Sequence, residues 1–375
     1  MKKLKRVPLS KLPHIAKVRV GLPKVAKRFR KPNLQQQAVE ALKAAPRITN
    51  ETIAEHREIV LKGARKYKYP LQHSKHRIVM VSTALLSVGI ISFFVYTSLS
   101  LYRFQSTSLF MYHVTQIVPF PVAKADKSWV SYESYLFELR RYMHYYETQQ
   151  QVDFSSASGK FQLDTYRPKA LQQVIDAAYV KELAAQHHIR VSSGEVNDAI
   201  ATLRTQNQLG SSNQELGSVT QKFFGWSIDD LKRQLKQELL AQKVAATLDT
   251  TAYAKTQNVV LQLQNGADFA TLAAQISDDP STKGNGGQYN DQAITMSSQE
   301  VPPQVVRELM QMKVGETSSI ITTPTSFEVV KLLAVDNGKY KAAHIQINFN
   351  DIQTYLQPLE KKNPPKHFIS TKVKS

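Results

Sequence analysis

The longest unbroken apolar segment of the chain covers residues 78–101 and reads IVMVSTALLSVGIISFFVYTSLSL. It contains no charged residue and no proline, and Arg77 and Arg103 flank it. About 20 apolar residues cross the hydrocarbon core of a bilayer as a helix. The segment therefore predicts one transmembrane helix. A buried core helix is the less favoured alternative, because core helices are seldom apolar on every side.

After this segment the apolar residues recur at helical spacing. A helix is predicted after Pro168, followed by a second helix whose start has the capping-box pair Ser192 and Glu195. A loop rich in Gly, Ser and Asn is expected around residues 209–217, and a further helix starts at Ser227. This half of the chain predicts a helical domain made of two or three packed hairpins.

Residues 255–345 show a mixed pattern. Two helices are predicted on either side of a turn, with Gly266 ending the first and Asp268 starting the second. A Gly-rich turn and a short helix follow, and then come two β segments separated by Pro324. The pair Asn337-Gly338 predicts a hairpin into one more strand. The predicted fold class is therefore α+β, with one transmembrane helix, a helical domain, and an antiparallel sheet with flanking helices.

The charge distribution predicts an orientation for the transmembrane helix. Residues 1–77 carry 21 Lys and Arg against four acidic residues, a net charge of +17 out of +19 for the chain. Because basic flanks stay in the cytoplasm, the N-terminus is expected inside and the C-terminal part outside. The chain has no cysteine, which excludes disulfide scaffolds, cysteine nucleophiles and thiolate metal sites.

The basic tail has two interpretations. Residues 1–33 are interrupted by four prolines and predict an extended arm. Contact with anionic lipid is favoured, since each basic residue near such a surface contributes up to about 1 kcal/mol. Contact with RNA is the alternative, although the arm has no base-reading motif and its one aromatic residue is Phe29. Nucleic acid is therefore an unlikely partner.

The helical half resembles the N-terminal domain of SurA-type bacterial chaperones and membrane-anchored foldases. The similarity lies in VAKADKSWVSYESY, in ALQQVIDAAYVKELAAQHHIRVSSGEVNDAI and in GWSIDDLKRQLKQELLAQKV. The resemblance is moderately specific and covers about 125 residues.

The second half resembles the parvulin family of peptidyl-prolyl isomerases, or rotamases. The run GADFATLAAQISDD, the segment GGQY, the segment MKVGETS and the strand TSFEVVKL match family motifs in order. The resemblance implies an α+β domain that isomerises X-Pro bonds and needs no cofactor, metal or nucleophile. It gives a domain order of basic tail 1–77, transmembrane helix 78–101, stalk 102–121, SurA-like helical domain 122–250, parvulin-like domain 251–350 and C-terminal tail 351–375.

The resemblance also implies site residues. The family's acid beside the twisting amide matches Asp279, its two proline-gripping residues match Val301 and Val305, and its last-strand histidine matches Glu328, next to Phe327. The valines predict a shallow substrate pocket. Glu328, if close to Asp279, would raise a carboxyl pKa by repulsion. Asp279 has a second interpretation, in which it only caps the turn before Pro280.

The family's first-strand histidine is absent from its usual place before the GADF run. The segment AAHIQI at residues 342–347 looks like the missing strand, moved to the far end of the domain. A tight hairpin at Asn337-Gly338 could then place His344 in the empty position, as in a circular permutation. A remnant of a second repeat and a plain edge strand are the alternatives.

Three hypotheses follow. The first is a membrane-anchored extracytoplasmic peptidyl-prolyl isomerase of low activity, acting on exported, unfolded polypeptides. The second is a holdase whose degenerate rotamase domain only binds chains. The third is a scaffold that tethers the export machinery through the basic tail.

Overall fold

A computed structural model describes residues 34–44, 49–68, 70–207, 212–290 and 294–370. The extended arm expected for residues 1–33 lies outside the described residues. The chain divides into two units, residues 1–88 and 89–375.

The described part of the first unit is helical. It contains α1 (Leu34–Ala44), α2 (Asn50–Lys68) and the larger part of α3 (Pro70–Ser98). The segment Arg77–Arg103 is the one helical stretch among the described residues that is long and apolar enough to cross a membrane. Its most apolar part has no residue buried against the rest of the chain. By its length, its composition and its exposure, the segment is a candidate membrane span.

The second unit begins with a compact structure where a stalk was expected. A π-helical turn (Leu99–Arg103) continues α3, and α4 (Leu109–Ile117) follows it. Leu101 and Met111 are completely buried in the same hydrophobic core as the helices that follow. The segment 102–121, expected to be a stalk, is therefore part of the folded unit and packs into its core.

Helices α5 to α9 form the helical core. Their bounds are α5 (Tyr132–Gln150), α6 (Ala157–Gln186), α7 (Ser193–Asn207), α8 (Asn213–Phe224) and α9 (Ile228–Leu248). The predicted starts at Ser192 and Ser227 are confirmed, since both side chains cap their helices. Two expectations were wrong. Helix α6 starts eleven residues before Pro168, which lies inside it, and α8 occupies most of the expected loop.

A small sheet joins the end of the chain to the start of the helical core. Strands β1 (Pro121–Ala125) and β2 (Ser128–Ser131) are antiparallel, and β6 (Lys366–His367) pairs with β1. Helix α14 (Gln353–Lys362) packs against α6. The expected C-terminal tail is thus partly structured: it returns to the helical core and buries Ile369 there.

The mixed part comprises four helices and a second sheet. The helices are α10 (Thr250–Gln264), α11 (Phe269–Ile276), α12 (Pro280–Lys283) and α13 (Pro303–Leu309). The strands are β3 (Ile321–Thr322), β4 (Ser326–Asp336) and β5 (Lys339–Asn348), in the order β3-β4-β5. The predicted α+β fold class is confirmed.

Strands β4 and β5 are joined by the predicted two-residue hairpin. Asn337 and Gly338 have positive φ angles of 48° and 75°, as a type I′ turn requires. The strands are antiparallel, and the register sets Val330 opposite His344. The strand expected to be displaced from the front of the domain therefore lies beside the last strand of the family pattern.

Candidate active site

Asp279 stands where α11 ends and the short helix α12 begins. Its Oδ1 accepts a hydrogen bond from the backbone N–H of Ser281 at 3.0 Å, which caps α12. Its Oδ2 accepts from the hydroxyl of Thr282 at 2.6 Å and lies 3.0 Å from Nε2 of His344. One carboxylate oxygen of Asp279 therefore caps the helix, and the other faces the imidazole of His344.

His344 lies at the centre of the cluster. Its Nε2 is 2.9 Å from the hydroxyl oxygen of Thr282, and its Nδ1 is 3.0 Å from Oε2 of Glu328. The hairpin has thus brought His344 next to Asp279 across 65 residues of sequence. The imidazole is almost completely buried, and the Asp279 side chain is 16% exposed. Asp279 is therefore the part of the cluster that meets solvent.

Tyr289 covers one face of the His344 imidazole. Its ring stacks on the imidazole of His344 with centroids 4.1 Å apart, and its hydroxyl donates to Oε2 of Glu328 at 2.9 Å. Burial, together with the Glu328 carboxylate, raises the pKa of Tyr289 well above its ordinary range. The hydroxyl stays protonated and remains a donor to the buried carboxylate.

The Gly286-Gly287 pair allows this approach. Both residues have positive φ, and a Cβ on Gly287 would lie 2.3 Å from the carbonyl oxygen of His344. The backbone N–H of His344 donates to the carbonyl of Gly287 at 2.7 Å. Only glycine lets the loop come so close to β5, and this contact carries Tyr289 over the imidazole.

The hydrogen bonds fix where protons reside on one side of the histidine. Burial alone would raise the pKa of Asp279, but hydrogen bonds from Thr282, Ser281 and His344 outweigh it and lower the pKa to about 2. Asp279 is therefore an ionised acceptor at neutral pH. Since the Thr282 hydroxyl donates its proton to Asp279, Nε2 of His344 carries a hydrogen and donates on that side.

The predicted pKa rise from carboxylate repulsion is not found at Asp279, whose pKa is lowered. The imidazole of His344 bridges the two acids, and hydrogen-bond donors surround Asp279. Thr282 and Tyr289 were missed as site residues. Tyr289 lies in the GGQY motif, which could have identified it. Thr282 has no sequence signal, because its role depends on where α12 places its hydroxyl.

The other predicted site residues are core residues in this structure. Val301 and Val305 are 1% and 0% exposed and pack in one hydrophobic cluster. Phe327 is also buried, and its ring contacts Phe349. The expected shallow pocket at the two valines is therefore not open to solvent, because their small side chains are enclosed by the core of the domain. Among the described residues, no group of three or more His, Asp or Glu side chains could hold a metal.

Two family models match the chain. A SurA-like N-terminal domain matches residues 71–245, and a rotamase domain of the PPIC-type PPIase class matches residues 239–334. The rotamase match includes Asp279 and Glu328 but ends ten residues before His344.

Curated relatives agree with the two domain matches. The chain is 30% identical over 182 residues to proteins described as "Foldase protein PrsA" from Streptococcus pneumoniae, for example those of strains Hungary19A-6, CGSP14 and D39. The similarity covers 41% of this chain and 55% of each relative. The chain thus spans about half the length of the curated relatives it matches.

Proposed function

Because this chain joins a SurA-like N-terminal domain to a PPIC-type rotamase domain, we propose that it is an extracytoplasmic folding factor for exported polypeptides. In this proposal the rotamase domain isomerises X-Pro bonds with low activity. One observation carries the proposal. The displaced strand brings His344 into hydrogen-bond contact with Asp279, the residue that matches the family's acid.

The chemistry follows from the amide bond. Resonance gives the C–N bond its double-bond character and a rotation barrier of about 18–20 kcal/mol. The resonance form responsible places negative charge on the carbonyl oxygen. An ionised carboxylate near that oxygen repels its negative charge, disfavours this resonance form and so lowers the rotation barrier. Asp279 is ionised and partly exposed, and it is the group placed to do this.

His344 has a positioning role in this proposal. It is too buried to meet a substrate directly, but its Nε2 hydrogen bond helps to hold Asp279 ionised and oriented. Low activity is expected because Val301 and Val305 are buried and offer no open surface to grip a proline ring. The substrate is then held mainly by contacts outside the reacting bond.

The test measures cis–trans exchange of an X-Pro tetrapeptide by NMR with the full chain in detergent. Loss of a hydrogen bond to a charged group costs about 1.5–3 kcal/mol, so one such bond is worth roughly tenfold or more in rate. We expect Asp279→Asn and His344→Gln each to lower the exchange rate by about tenfold or more.

Matched controls are Asp336→Asn, at the exposed end of β4, and His187→Gln, at the exposed end of α6. Both should leave the rate unchanged. Catalysis unaffected by the two site variants would show that the site lies elsewhere. High activity in the starting protein would show that the buried valines do not limit it.

A second candidate function is that of a holdase, and a cleft favours it. The cleft has a volume of about 750 Å³ and is lined by side chains from α7, α9 and α13 and from the turn between β3 and β4. Its lining combines the apolar Leu235 and Leu239 with the charged Asp198 and Arg307. A mixed cleft of this size suits a segment of extended polypeptide.

The holdase is tested by suppression of client aggregation without nucleotide, since the sequence has no nucleotide-binding motif. Thr202→Trp would fill the cleft, whereas Thr205→Trp lies on α7 outside the lining. We expect the first variant to lose suppression and the second to retain it. Equal behaviour of the two variants, or an absolute requirement for ATP, would contradict the holdase.

The proposed location is the cell membrane, with residues 1–77 in the cytoplasm and residues 102–375 outside. The charge of residues 1–77 and the single apolar helix support it. In this arrangement the basic tail contacts anionic lipid and could also reach the export machinery. Protease added to intact cells should digest the C-terminal part and spare the tail, and a protected C-terminal part would refute this topology.

A further inference from the structure

The apolar helix enters the folded domain before its apolar run has ended. Twenty residues counted from Ile78 end at Thr97, and about 20 residues cross the hydrocarbon core. Thr97 and Leu101 are both completely buried within the second unit. The domain core therefore begins where the helix leaves the hydrocarbon, with no spacer between them.

Further contacts also show that the folded domain lies beside the end of the apolar helix. Phe94, one turn before Thr97, packs against Phe120 with ring centroids 6.5 Å apart. The hydroxyl of Tyr102 donates to the carbonyl of Pro121 at 2.7 Å, and that of Tyr132 donates to the carbonyl of Leu101 at 2.6 Å. The start of β1 and the start of α5 thus lie beside the emerging helix.

The connection between the helix and α4 is also held firmly. Arg140 donates to the carbonyl of Thr107 at 2.8 Å, and Arg167 donates to the carbonyl of Gln105 at 3.4 Å. The side chain of Ser108 caps α4 by accepting from Met111. These bonds hold α4 in a fixed position relative to the emerging helix.

Helix α4 has a buried apolar side and a mixed exposed side, on which His113 and Gln116 lie 3.0 Å apart in a hydrogen bond among exposed apolar residues. One side, with Met111 and Val114, is buried in the domain core. The other side exposes Leu109, Phe110 and Ile117, which are 54%, 57% and 83% exposed. No residue from 104 to 123 carries a formal charge. An exposed apolar surface of this kind is typical of an interaction site. Its lack of charge is compatible with a position just outside the hydrocarbon core of a membrane.

We propose that the exposed side of α4, formed by Leu109, Phe110 and Ile117, inserts into the outer leaflet of the membrane and fixes the orientation of the folding domain on the bilayer. The partner is a lipid surface, because hydrogen bonds from Arg140 and Arg167 hold the segment between the end of the apolar helix and α4. This inference rests on the proposed membrane anchoring. It goes beyond it in that the domain lies on the bilayer and is not held away from it on a tether.

The test uses the full chain in vesicles of phosphatidylcholine and phosphatidylglycerol. Because the chain has no cysteine, single cysteines can carry a spin label at chosen positions. Ile117→Cys and Phe110→Cys probe the proposed surface. Val335→Cys, on an exposed part of β4, is the aqueous control, and Leu86→Cys reports on the transmembrane helix. Each label is tested for collision with oxygen and with a water-soluble nickel chelate.

We expect the labels at positions 86, 110 and 117 to be relaxed mainly by oxygen, and the label at position 335 by the nickel chelate. Adding Ile117→Asp should shift the label at position 110 towards the nickel chelate by at least twofold. Water access at positions 110 and 117 with lipid access at position 86 would overturn the docking and leave the anchoring intact.

Two other outcomes would also overturn the inference. Water access at position 86 would refute the membrane anchoring, and the docking with it. Dipolar broadening of the label at position 117 that disappears on dilution with unlabelled chain would show that a second copy, and not lipid, covers α4.

Discussion

The close contact between the glycine loop and β5 makes a sharp prediction for Gly287→Ala. Gly287 has a φ of +83°, and an added Cβ would meet the carbonyl oxygen of His344 at 2.3 Å and the Cβ of Ala273 at 3.0 Å. The first atom belongs to a strand backbone and cannot rotate away. The loop or the strand must move, and the hydrogen bond from His344 to Gly287 is lost with it.

The expected cost has two parts. A left-handed backbone costs a residue with a Cβ about 1–2 kcal/mol, and the lost hydrogen bond adds about 1 kcal/mol. Gly287→Ala should therefore destabilise the domain by about 3 kcal/mol. Gly266 has a similar φ of +88° but open space around it, so Gly266→Ala should cost only the backbone part, about 1–2 kcal/mol. Gly284 has φ −72° and open space, so Gly284→Ala should be within about 0.5 kcal/mol of neutral or slightly stabilising.

Native-state hydrogen exchange measured by mass spectrometry on the most protected amides of β5 gives the free energy of opening directly. The loss of protection should be smallest for Gly284→Ala, larger for Gly266→Ala and largest for Gly287→Ala. Isomerase activity should fall with Gly287→Ala alone. Equal losses for Gly287→Ala and Gly266→Ala would mean that the loop does not approach β5 as described.

Three further predictions concern single side chains. Tyr289→Phe keeps the ring on the imidazole but removes a donor to a buried carboxylate, so β4 should lose about 1–3 kcal/mol of protection in hydrogen exchange; unchanged protection would contradict that hydrogen bond. Because the pKa of Asp279 is lowered, its carboxylate stabilises the folded domain above the ordinary carboxyl pKa of 3.8, and this stabilisation is lost as pH falls towards 2. The carboxyl NMR signal of Asp279 should therefore titrate below pH 3.8. A midpoint above that value would refute the hydrogen-bonded carboxylate. Arg233 makes a bidentate pair with Glu133 at 2.6 and 2.9 Å, so Arg233→Lys should lower stability by about 1–2 kcal/mol, read from Trp226 fluorescence in urea; an unchanged midpoint would show that the pair contributes nothing.

Local signals in the sequence predicted much of the fold. The capping pair Ser192 and Glu195, the cap at Ser227 and the turn Asn337-Gly338 all form as expected. Each of these depends on residues a few positions apart, and their geometry is set before any tertiary contact. The start of α8 carries the same kind of signal, a capping box at Ser212, which the surrounding Gly, Ser and Asn residues concealed.

Long-range packing was not predictable in the same way. The segment after the apolar helix has weak periodicity because its residues contact several other elements. The positions of its apolar residues follow those contacts and not a helical repeat. The site shows the same limit. A motif match pointed to Asp279, and the hairpin signal suggested that His344 would lie near it, as the structure has it. The burial of Val301 and Val305 depends on how tightly the domain packs. The positions of the two residues in the sequence do not reveal that packing.

The two-residue turn between β4 and β5 also changes how the domain can fold. In the family order, the strand pair that carries the site joins the two ends of the domain, and closing that loop is entropically costly. Here the same pair is a local hairpin. Because each doubling of loop length costs about 0.6 kcal/mol, shortening the loop from roughly 80 residues to a few removes about 2–3 kcal/mol of closure entropy. Strand β5 carries His344 together with the core residues Ile345 and Ile347. Closing the hairpin therefore assembles the site and part of the domain core in one local step.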